Sequence, residues 1–172
     1  MAETLKTIEK RKSTREFKSD QIPADAVDTI LKAGEQAPIG CAAFDAIHFT
    51  VVQDKALIDK IASAASNGER DVFYGAPTVI IVSSGSQPFP GLDLADAGSI
   101  VQNFLLAATD IGIDSVYIYS ANAAFAADPS LLAAAGIPDG FKPVSSVALG
   151  YGTDDAVATP KAPRSIKVNR IS

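Results

Sequence analysis

Five consecutive residues near the start of the chain, from Arg11 to Arg15, combine three cationic side chains with the hydroxyls of Ser13 and Thr14. Guanidinium forks bind phosphate oxygens through two parallel hydrogen bonds, and hydroxyl groups donate to the acceptors that remain. The cluster therefore suits a phosphate group, although a run of charge is also typical of a solvated helix end. These five residues alone leave both interpretations open.

A second basic group lies at the other end of the chain, in the tail 153–172. Its cations are Lys161, Arg164, Lys167 and Arg170. Pro160 and Pro163 disfavour a helix there, because proline lacks the backbone N–H that a helix uses. Ile166 and Val168 alternate with polar residues, which is typical of an edge or exchanged strand. We therefore expect an extended basic arm that lies on another surface.

The composition indicates one domain over residues 1–172 with its own core. Hydrophobic residues make up 47% of the chain and charged residues 20%, and the formal net charge is −5. Acidic residues outnumber basic ones by 20 to 15, which argues against a nucleic-acid partner and favours a small anionic ligand. The single cysteine, Cys41, excludes an internal disulfide. A polar start and the lack of a long apolar run predict a cytoplasmic protein with no signal peptide and no membrane span.

Hydrophobic periodicity and turn residues predict at least four strands and five helices. We expect strands at Ile47–Val52, 78–82, 115–119 and 144–149, and helices at 5–12, 23–37, 54–66, 94–111 and 128–136. The strand 78–82 should be buried on both faces. The helix 94–111 is apolar around most of its circumference, so it should lie at a domain centre or a subunit interface. The loop 38–45 is rich in small residues, which lets its backbone approach a flat ligand.

The order of these segments resembles the flavin-dependent nitroreductase family over nearly the whole chain. RKSTREF resembles the R-x-S-x-R-x-F signature of that family, and APIGCAAFDAIHFTVV stands in the place of its flavin loop and first strand. FYGAPTVIIV, AGSIVQNFLLAATDIGIDSVYI, IPDGFKPVSSVALGYG and the basic tail follow in the family's order. The resemblance implies an α+β fold of three α/β/α layers, with a mostly antiparallel mixed sheet between helices. It also favours the phosphate interpretation of the N-terminal cluster.

The resemblance further implies a homodimer with two FMN molecules at the subunit interface and an extended C-terminal arm exchanged between subunits. Such an enzyme takes a hydride from NADH or NADPH through flavin N5 and passes it to a small acceptor such as a nitroaromatic or a quinone, in a ping-pong mechanism. A fixed cation beside the flavin would favour its reduced, anionic form.

By resemblance, particular residues are assigned to the cofactor. The phosphate and ribityl chain would be held by Arg11, Lys12, Ser13 and Arg15, with Lys161 and Arg164 of the tail closing on the same phosphate. The ribityl chain and pyrimidine edge would contact Asn67 and Arg70, while the ring would be lined by Pro38, Ile39 and Gly40 of the neighbouring subunit and by Ile118, Tyr119 and Ser120. The backbone N–H of Ser120 would donate to N5. No catalytic side chain and no metal site are predicted.

The loop after Pro38 departs from the family pattern, because Ala42, Ala43, Phe44 and Ala46 stand where many members have Asn and Gln followed by Pro-Trp. A flavin-binding or regulatory module without turnover is therefore an alternative function. Cys41 is more typical of a small packing residue than of a reactive thiol. His48 is more typical of a solvent-facing or interface position than of a proton donor.

Overall fold

The computed structural model describes residues 2–158 and 165–171 of the chain. Within these residues the helices are α1 (Glu3–Lys10), α2 (Ala24–Glu35), α3 (Lys55–Ser66), α4 (Leu92–Asp110), α5 (Asn122–Ala127), α6 (Ser130–Ala134) and α7 (Asp154–Ala158). The strands are β1 (Ile47–Val52), β2 (Thr78–Ser84), β3 (Asp114–Ile118) and β4 (Lys142–Gly150). Two 3₁₀ turns, Gly40–Ala42 and Phe44–Ala46, precede β1.

The four strands form one sheet in the order β1-β2-β4-β3, and all three pairings in the described part of the chain are antiparallel. Every residue of β2 is buried, as expected for a central strand covered on both faces. Alternate residues of this strand enter two separate cores. Ile80 and Val82 pack with α2 and α4, whereas Val79 and Ile81 pack with α3, α5 and α6. The three-layer α/β/α architecture is therefore confirmed.

Helices α2 and α4 approach each other closely at Gly34. A Cβ atom at this position would lie 2.0 Å from Cε1 of Phe104, so only glycine fits. The ring of Phe104 is fully buried and meets Phe49 of β1 edge to face, with ring centroids 5.1 Å apart. This contact joins both helices to the sheet. Helix α4 buries one face there but leaves Leu94 exposed, so it is less enclosed in the single chain than its sequence predicts.

Local sequence signals account for most element ends. Pro23 directly precedes α2 as its N-cap. The side chain of Asp54 accepts a hydrogen bond from the N–H of Ala56 and caps α3, as predicted. Gly112 takes a positive φ of 79° just after α4, which is the expected C-terminal stop. None of the described helices combines the length and apolar character needed to cross a membrane.

The C-terminal tail differs from the expected extended arm over 153–172, because it begins with the short helix α7. The hydroxyl of Thr153 lies 3.4 Å from the N–H of Ala156, and Asp154 and Asp155 occupy the first turn. Hydroxyls before a helix and acidic residues in its first turn both stabilise its N-terminus. Beyond it, residues 165–171 form neither helix nor strand, and Ile166 is 87% exposed. The exchange of this arm between subunits stays a prediction.

Candidate functional site

The basic cluster lies against the free edge of β3, where the chain leaves α1. The backbone N–H of Thr14 donates to the carbonyl of Ser115 over 3.1 Å. The hydroxyl of Thr14 lies 3.2 Å from Oδ1 of Asp114, and Thr14 itself is buried. Beside the buried Thr14, Arg15 is exposed and Ser13 is half-buried.

Asp114 also fixes the segment that follows β4. Its Oδ2 atom accepts the N–H of Gly152 over 2.9 Å. A Cβ atom at Gly152 would come within 2.9 Å of Cγ2 of Thr14, so a glycine is needed for the two segments to cross. The N–H of Lys18 donates to the carbonyl of Tyr151 over 2.7 Å. The start and the end of the chain are thus held together at the edge of β3.

The predicted phosphate ligands differ in exposure. Arg15 is exposed, Ser13 is half-buried, and Arg11 is only 8% exposed. Lys12 is directed to the tail, since its Nζ lies 2.8 Å from the carbonyl of Ala156 and also contacts the carbonyl of Val157. These carbonyls form the negative end of α7, which a lysine stabilises. All four predicted ligands lie in one short segment, and the ammonium group of Lys12 already contacts backbone carbonyls of α7. Lys161 and Arg164 lie outside the described residues.

An exposed turn follows the same strand. Ile118 is buried at the end of β3, and Tyr119 and Ser120 after it are exposed. The N–H of Ser120 donates to no acceptor among the described residues, while its carbonyl accepts the N–H of Ala123 over 3.3 Å. Asn122 anchors the turn, because its side-chain amide donates to the carbonyl of Val144 on β4. The site predicted for flavin N5 therefore has a free, positioned N–H group.

The loop carrying Asn67 and Arg70 closes α3. Asn67 adopts a left-handed conformation, with a φ of 52°, at the C-terminal end of this helix. The hydroxyl of Ser66 donates to the carbonyl of Arg70 over 2.7 Å and accepts its N–H over 3.3 Å. Both predicted side chains are exposed. The N–H of Phe17 donates to the carbonyl of Tyr74 over 3.1 Å, so the segment after the basic cluster lies beside the chain that follows this loop.

The predicted ring-lining loop lies elsewhere. Pro38, Ile39 and Gly40 precede β1, at the opposite edge of the sheet from β3, and are held against α4. The N–H of Gly40 donates to Oδ1 of the buried Asp96 over 2.9 Å. One chain therefore does not bring this loop to the basic cluster. Asp96 is not among the residues predicted from the sequence, although an acid in the middle of an apolar helix is itself a signal.

A cavity with a volume of about 810 Å³ lies beside this loop. It is lined by residues 42–46, 85–88 and 139–141. Its walls are largely apolar, and its charged lining residues in the described chain are the carboxylates Asp45 and Asp139.

The ring of Phe141 meets His48 with centroids 5.9 Å apart. His48 is half-buried. Cys41 is exposed, so the interpretation of Cys41 as a small packing residue is wrong for this chain.

Electrostatics support the connection between the two ends of the chain. Nζ of Lys18 lies 2.8 Å from Oδ1 of Asp154 at the start of α7. This hydrogen bond raises the pKa of Lys18 and lowers the pKa of Asp154 relative to their ordinary values. No group of three His, Cys, Asp or Glu side chains in residues 2–158 and 165–171 is arranged to hold a metal ion.

Comparison with known proteins gives one family. The model described as the nitroreductase family matches residues 8–70 and 64–151. The crystal structure of a nitroreductase with bound FMN from Bacteroides fragilis is 30% identical, covers 100% of this chain and 98% of its own, and has a TM-score of 0.81. A nitroreductase with bound FMN from Desulfitobacterium hafniense is 29% identical over 100% of both chains, with a TM-score of 0.86.

A curated relative from Archaeoglobus fulgidus carries the provisional name NADH dehydrogenase/NAD(P)H nitroreductase. It is 32% identical over 158 residues, which cover 90% of this chain and 88% of the relative. The family match extends from the basic cluster through β4, so it includes both the edge of β3 and the loop before β1. On these grounds the chain belongs to the nitroreductase family.

Proposed function

We propose that this protein is an FMN-dependent oxidoreductase that transfers a hydride from NADH or NADPH to a small electrophilic acceptor, such as a nitroaromatic or a quinone, in a ping-pong cycle. Family membership and the FMN in two related crystal structures support the proposal. One observation carries it. The edge strand β3 holds the basic cluster through the carbonyl of Ser115, and the turn that follows the strand presents the N–H of Ser120, which has no acceptor among the described residues.

The basic segment fits the phosphate end of FMN. Arg11, Ser13 and Arg15 supply guanidinium and hydroxyl donors on one short stretch, which is fixed by the contacts of Thr14. Lys161 and Arg164 are proposed to close on the same phosphate from the tail. Lys12 would add positive charge at this place while it holds the end of α7. In an acidic protein, this concentrates the positive field where the anion binds.

The turn after β3 fits the reactive part of the ring. When bound, FMN supplies the N5 atom that accepts and donates the hydride. The N–H of Ser120 would hold that atom in place, with Ile118 and Tyr119 forming the wall beside it. Asn67 and Arg70 would contact the ribityl chain and the pyrimidine edge, where the guanidinium of Arg70 stabilises negative charge. These roles need no proton transfer by a side chain.

A second subunit would complete the site. Pro38, Ile39 and Gly40 lie at the β1 edge and the basic cluster at the β3 edge, with β2 and β4 between them. Three strand spacings separate these edges by about 14 Å. A homodimer that sets the β1 edge of one subunit beside the β3 edge of the other brings both groups to one flavin. The cavity of about 810 Å³ beside this loop is proposed to admit the acceptor, and its apolar, carboxylate-bearing walls favour uncharged molecules.

Reconstitution with FMN tests the proposal. The purified chain is mixed with FMN and desalted, its visible spectrum is recorded, and NADH or NADPH is then added without oxygen. We expect retained flavin absorbance that is bleached by at least one nucleotide and restored by a nitroaromatic or a quinone. Parallel lines in double-reciprocal plots would support the ping-pong cycle. Flavin that is retained but not reduced would instead favour a non-catalytic flavin-binding or regulatory module, and failure to retain flavin would contradict both functions.

A further inference from the structure

A buried carboxylate outside the proposed phosphate site holds the loop before β1. Asp96 lies in the second turn of α4 and is only 4% exposed. Its Oδ1 atom accepts the N–H of Gly40 over 2.9 Å, and its Oδ2 atom is buried with no hydrogen-bond partner among the described residues. Burying a carboxylate with one of its oxygens unpaired is unfavourable. An apolar side chain would pack in this helix without that cost, so packing does not explain the presence of Asp96.

The loop is held to α4 at two further points. The hydroxyl of Ser99 lies 3.2 Å from the carbonyl of Pro38 and 2.8 Å from that of Asp96. The side chain of Leu92 covers Gly40 so closely that a Cβ atom there would come within 2.7 Å of Leu92 Cδ2. Three residues of one helix, one turn apart, thus fix Pro38 and Gly40. This arrangement leaves little freedom at the start of the loop.

The backbone immediately after Gly40 is strained. Cys41 and Ala42 both adopt left-handed conformations, with φ of 55° and 53°. Residues with a Cβ atom avoid this region because Cβ approaches the backbone oxygen, and two such residues in succession need an external constraint. Neither side chain is buried, so packing of these two residues does not supply the constraint. Two turn hydrogen bonds, from the N–H of Ala42 to the carbonyl of Ile39 and from the N–H of Ala43 to the carbonyl of Gly40, lie within the loop. The contacts of Asp96 with Gly40 and of Ser99 with Pro38 come from outside it and hold the residues just before the strained pair.

The loop 38–43 borders the space where a ligand would bind. Ala42 and Ala43 line the cavity of about 810 Å³, and Ile39 lines a smaller one of about 230 Å³. The position of the backbone between these cavities therefore sets the shape of both. A change at Asp96 would be transmitted to this wall through Gly40, although Asp96 itself lines neither cavity.

We propose that Asp96 is a positioning residue, which holds the loop 38–43 in its strained conformation and thereby shapes the wall that faces the flavin ring. The assignment of the ring to this wall rests on the proposed function. Asp96 acts through the N–H of Gly40 and does not contact the cofactor. Its effect should therefore fall on ring binding and on the redox properties of the ring, and not on recognition of the phosphate.

The experiment compares Asp96→Ala and Asp96→Asn in the full chain. Asp96→Ala removes the acceptor of the Gly40 N–H. It should lower the binding affinities for FMN and for riboflavin by the same factor, about tenfold. It should also change the midpoint potential of bound FMN. Asp96→Asn keeps an oxygen acceptor and should restore both affinities to within about threefold of wild type. The matched control is Asp93→Ala, one turn earlier in α4, where the side chain lies 3.4 Å from Lys142 and not on the loop.

Hydrogen exchange separates this proposal from the proposed function, because it needs no flavin. Exchange at the N–H of Gly40 should accelerate in Asp96→Ala and stay slow in Asp96→Asn and Asp93→Ala. Unchanged exchange in Asp96→Ala would overturn the positioning role, as would unchanged flavin affinity and potential in a wild type that binds FMN. If the alanine variant does not fold, a failure of Asp96→Asn to retain slow exchange and near-normal affinity would also overturn it. Wild-type protein that binds no flavin would contradict the proposed function instead.

Discussion

Thr14 and Asp114, which are 100 residues apart in sequence, form a side-chain hydrogen bond at the edge of β3, with Oγ1 of Thr14 lying 3.2 Å from Oδ1 of Asp114. The second oxygen of the carboxylate accepts the N–H of Gly152. One side chain therefore connects the basic cluster, the edge strand and the segment that leads to α7. Since none of these contacts reaches the surface cations directly, Asp114 would affect a phosphate only by holding the backbone that carries them.

We expect Asp114→Ala to weaken FMN binding about tenfold, because it removes the hydrogen bond that holds Thr14 in the segment 11–15 and the one that holds Gly152 beside it. Riboflavin, which lacks the phosphate, should lose much less affinity. Thr14→Val removes only one of the two bonds and should give a smaller loss in the same direction. Flavin fluorescence titrations would measure the affinity of each of the two variants for FMN and for riboflavin. Asp28→Ala, an exposed substitution on α2, is the control, and an equal loss for FMN and riboflavin would contradict this role.

Direct removal of a phosphate ligand should discriminate more strongly between FMN and riboflavin than the loss of Asp114 does. Arg15 is exposed at the edge of β3, where its guanidinium is free to form a bidentate contact with phosphate oxygens. We expect Arg15→Ala to weaken FMN about tenfold or more and to leave riboflavin affinity within about twofold of wild type. Lys32→Ala removes an exposed cation on α2 and controls for the change in net charge. If Lys32→Ala reduces FMN affinity as much as Arg15→Ala does, the effect is one of overall charge.

The attachment of α7 should depend on pH through Lys18 and Asp154. Their hydrogen bond raises the pKa of Lys18 above its ordinary value of 10.5 and lowers that of Asp154 below 3.8. The stabilisation from Lys18 is complete below pH 10.5 and is lost as the pH rises through the raised pKa. The stabilisation from Asp154 is complete above pH 3.8 and is lost as the pH falls through the lowered pKa. The ion pair should therefore contribute its full stabilisation between pH 3.8 and pH 10.5.

Protection of the α7 amides against hydrogen exchange would measure this contribution. At neutral pH, Asp154→Asn and Lys18→Met should each lower the protection factors by less than about threefold, because the pair is solvent-exposed and screened. Added salt should reduce the difference from wild type. Lys32→Met serves as the control. A difference that is unaffected by salt would show that the two side chains act through packing and not through charge.

The sequence predicts local structure well where one residue determines an element end. Asp54 predicts the start of α3, and the bounds of β1 agree residue for residue with Ile47–Val52. Two short helices were not predicted. The short alanine-rich run of α5 is a helix signal, because alanine has the highest helix propensity. For α7, the prolines at 160 and 163 favour an extended chain, whereas Thr153 followed by two aspartates favours a helix start.

The site itself depends on contacts that sequence periodicity does not contain. Asp96 and Gly40 are 56 residues apart, and their hydrogen bond arises because the packing of α4 on the sheet brings them together. The pattern of the basic cluster identifies its cations but not the buried Thr14, which fixes their backbone. Nor does it predict that Lys12 is directed to the end of α7. Family resemblance placed the candidate residues, and the structure indicates which neighbours hold them.

Two glycines on the packed helices α2 and α4 should respond oppositely to substitution by alanine. At Gly34 an added Cβ atom would lie 2.0 Å from Cε1 of Phe104, whose fully buried ring has little room to move. Overpacking of this kind costs about 3 kcal/mol, and the gain in helix propensity offsets about 1 kcal/mol of it. We therefore expect Gly34→Ala to lower the free energy of unfolding by about 2 kcal/mol.

Gly98 in α4 is the matched control, since an added Cβ atom there meets no atom within 4 Å. Gly98→Ala should raise the free energy of unfolding by about 0.5 to 1 kcal/mol through helix propensity alone. Urea denaturation at one fixed concentration of protein and FMN would measure both changes, because ligand binding and association also affect stability. Phe104→Leu combined with Gly34→Ala should recover part of the loss by making room for the methyl group. Equal stability of the two alanine variants would contradict the close packing of α2 against α4 at Gly34.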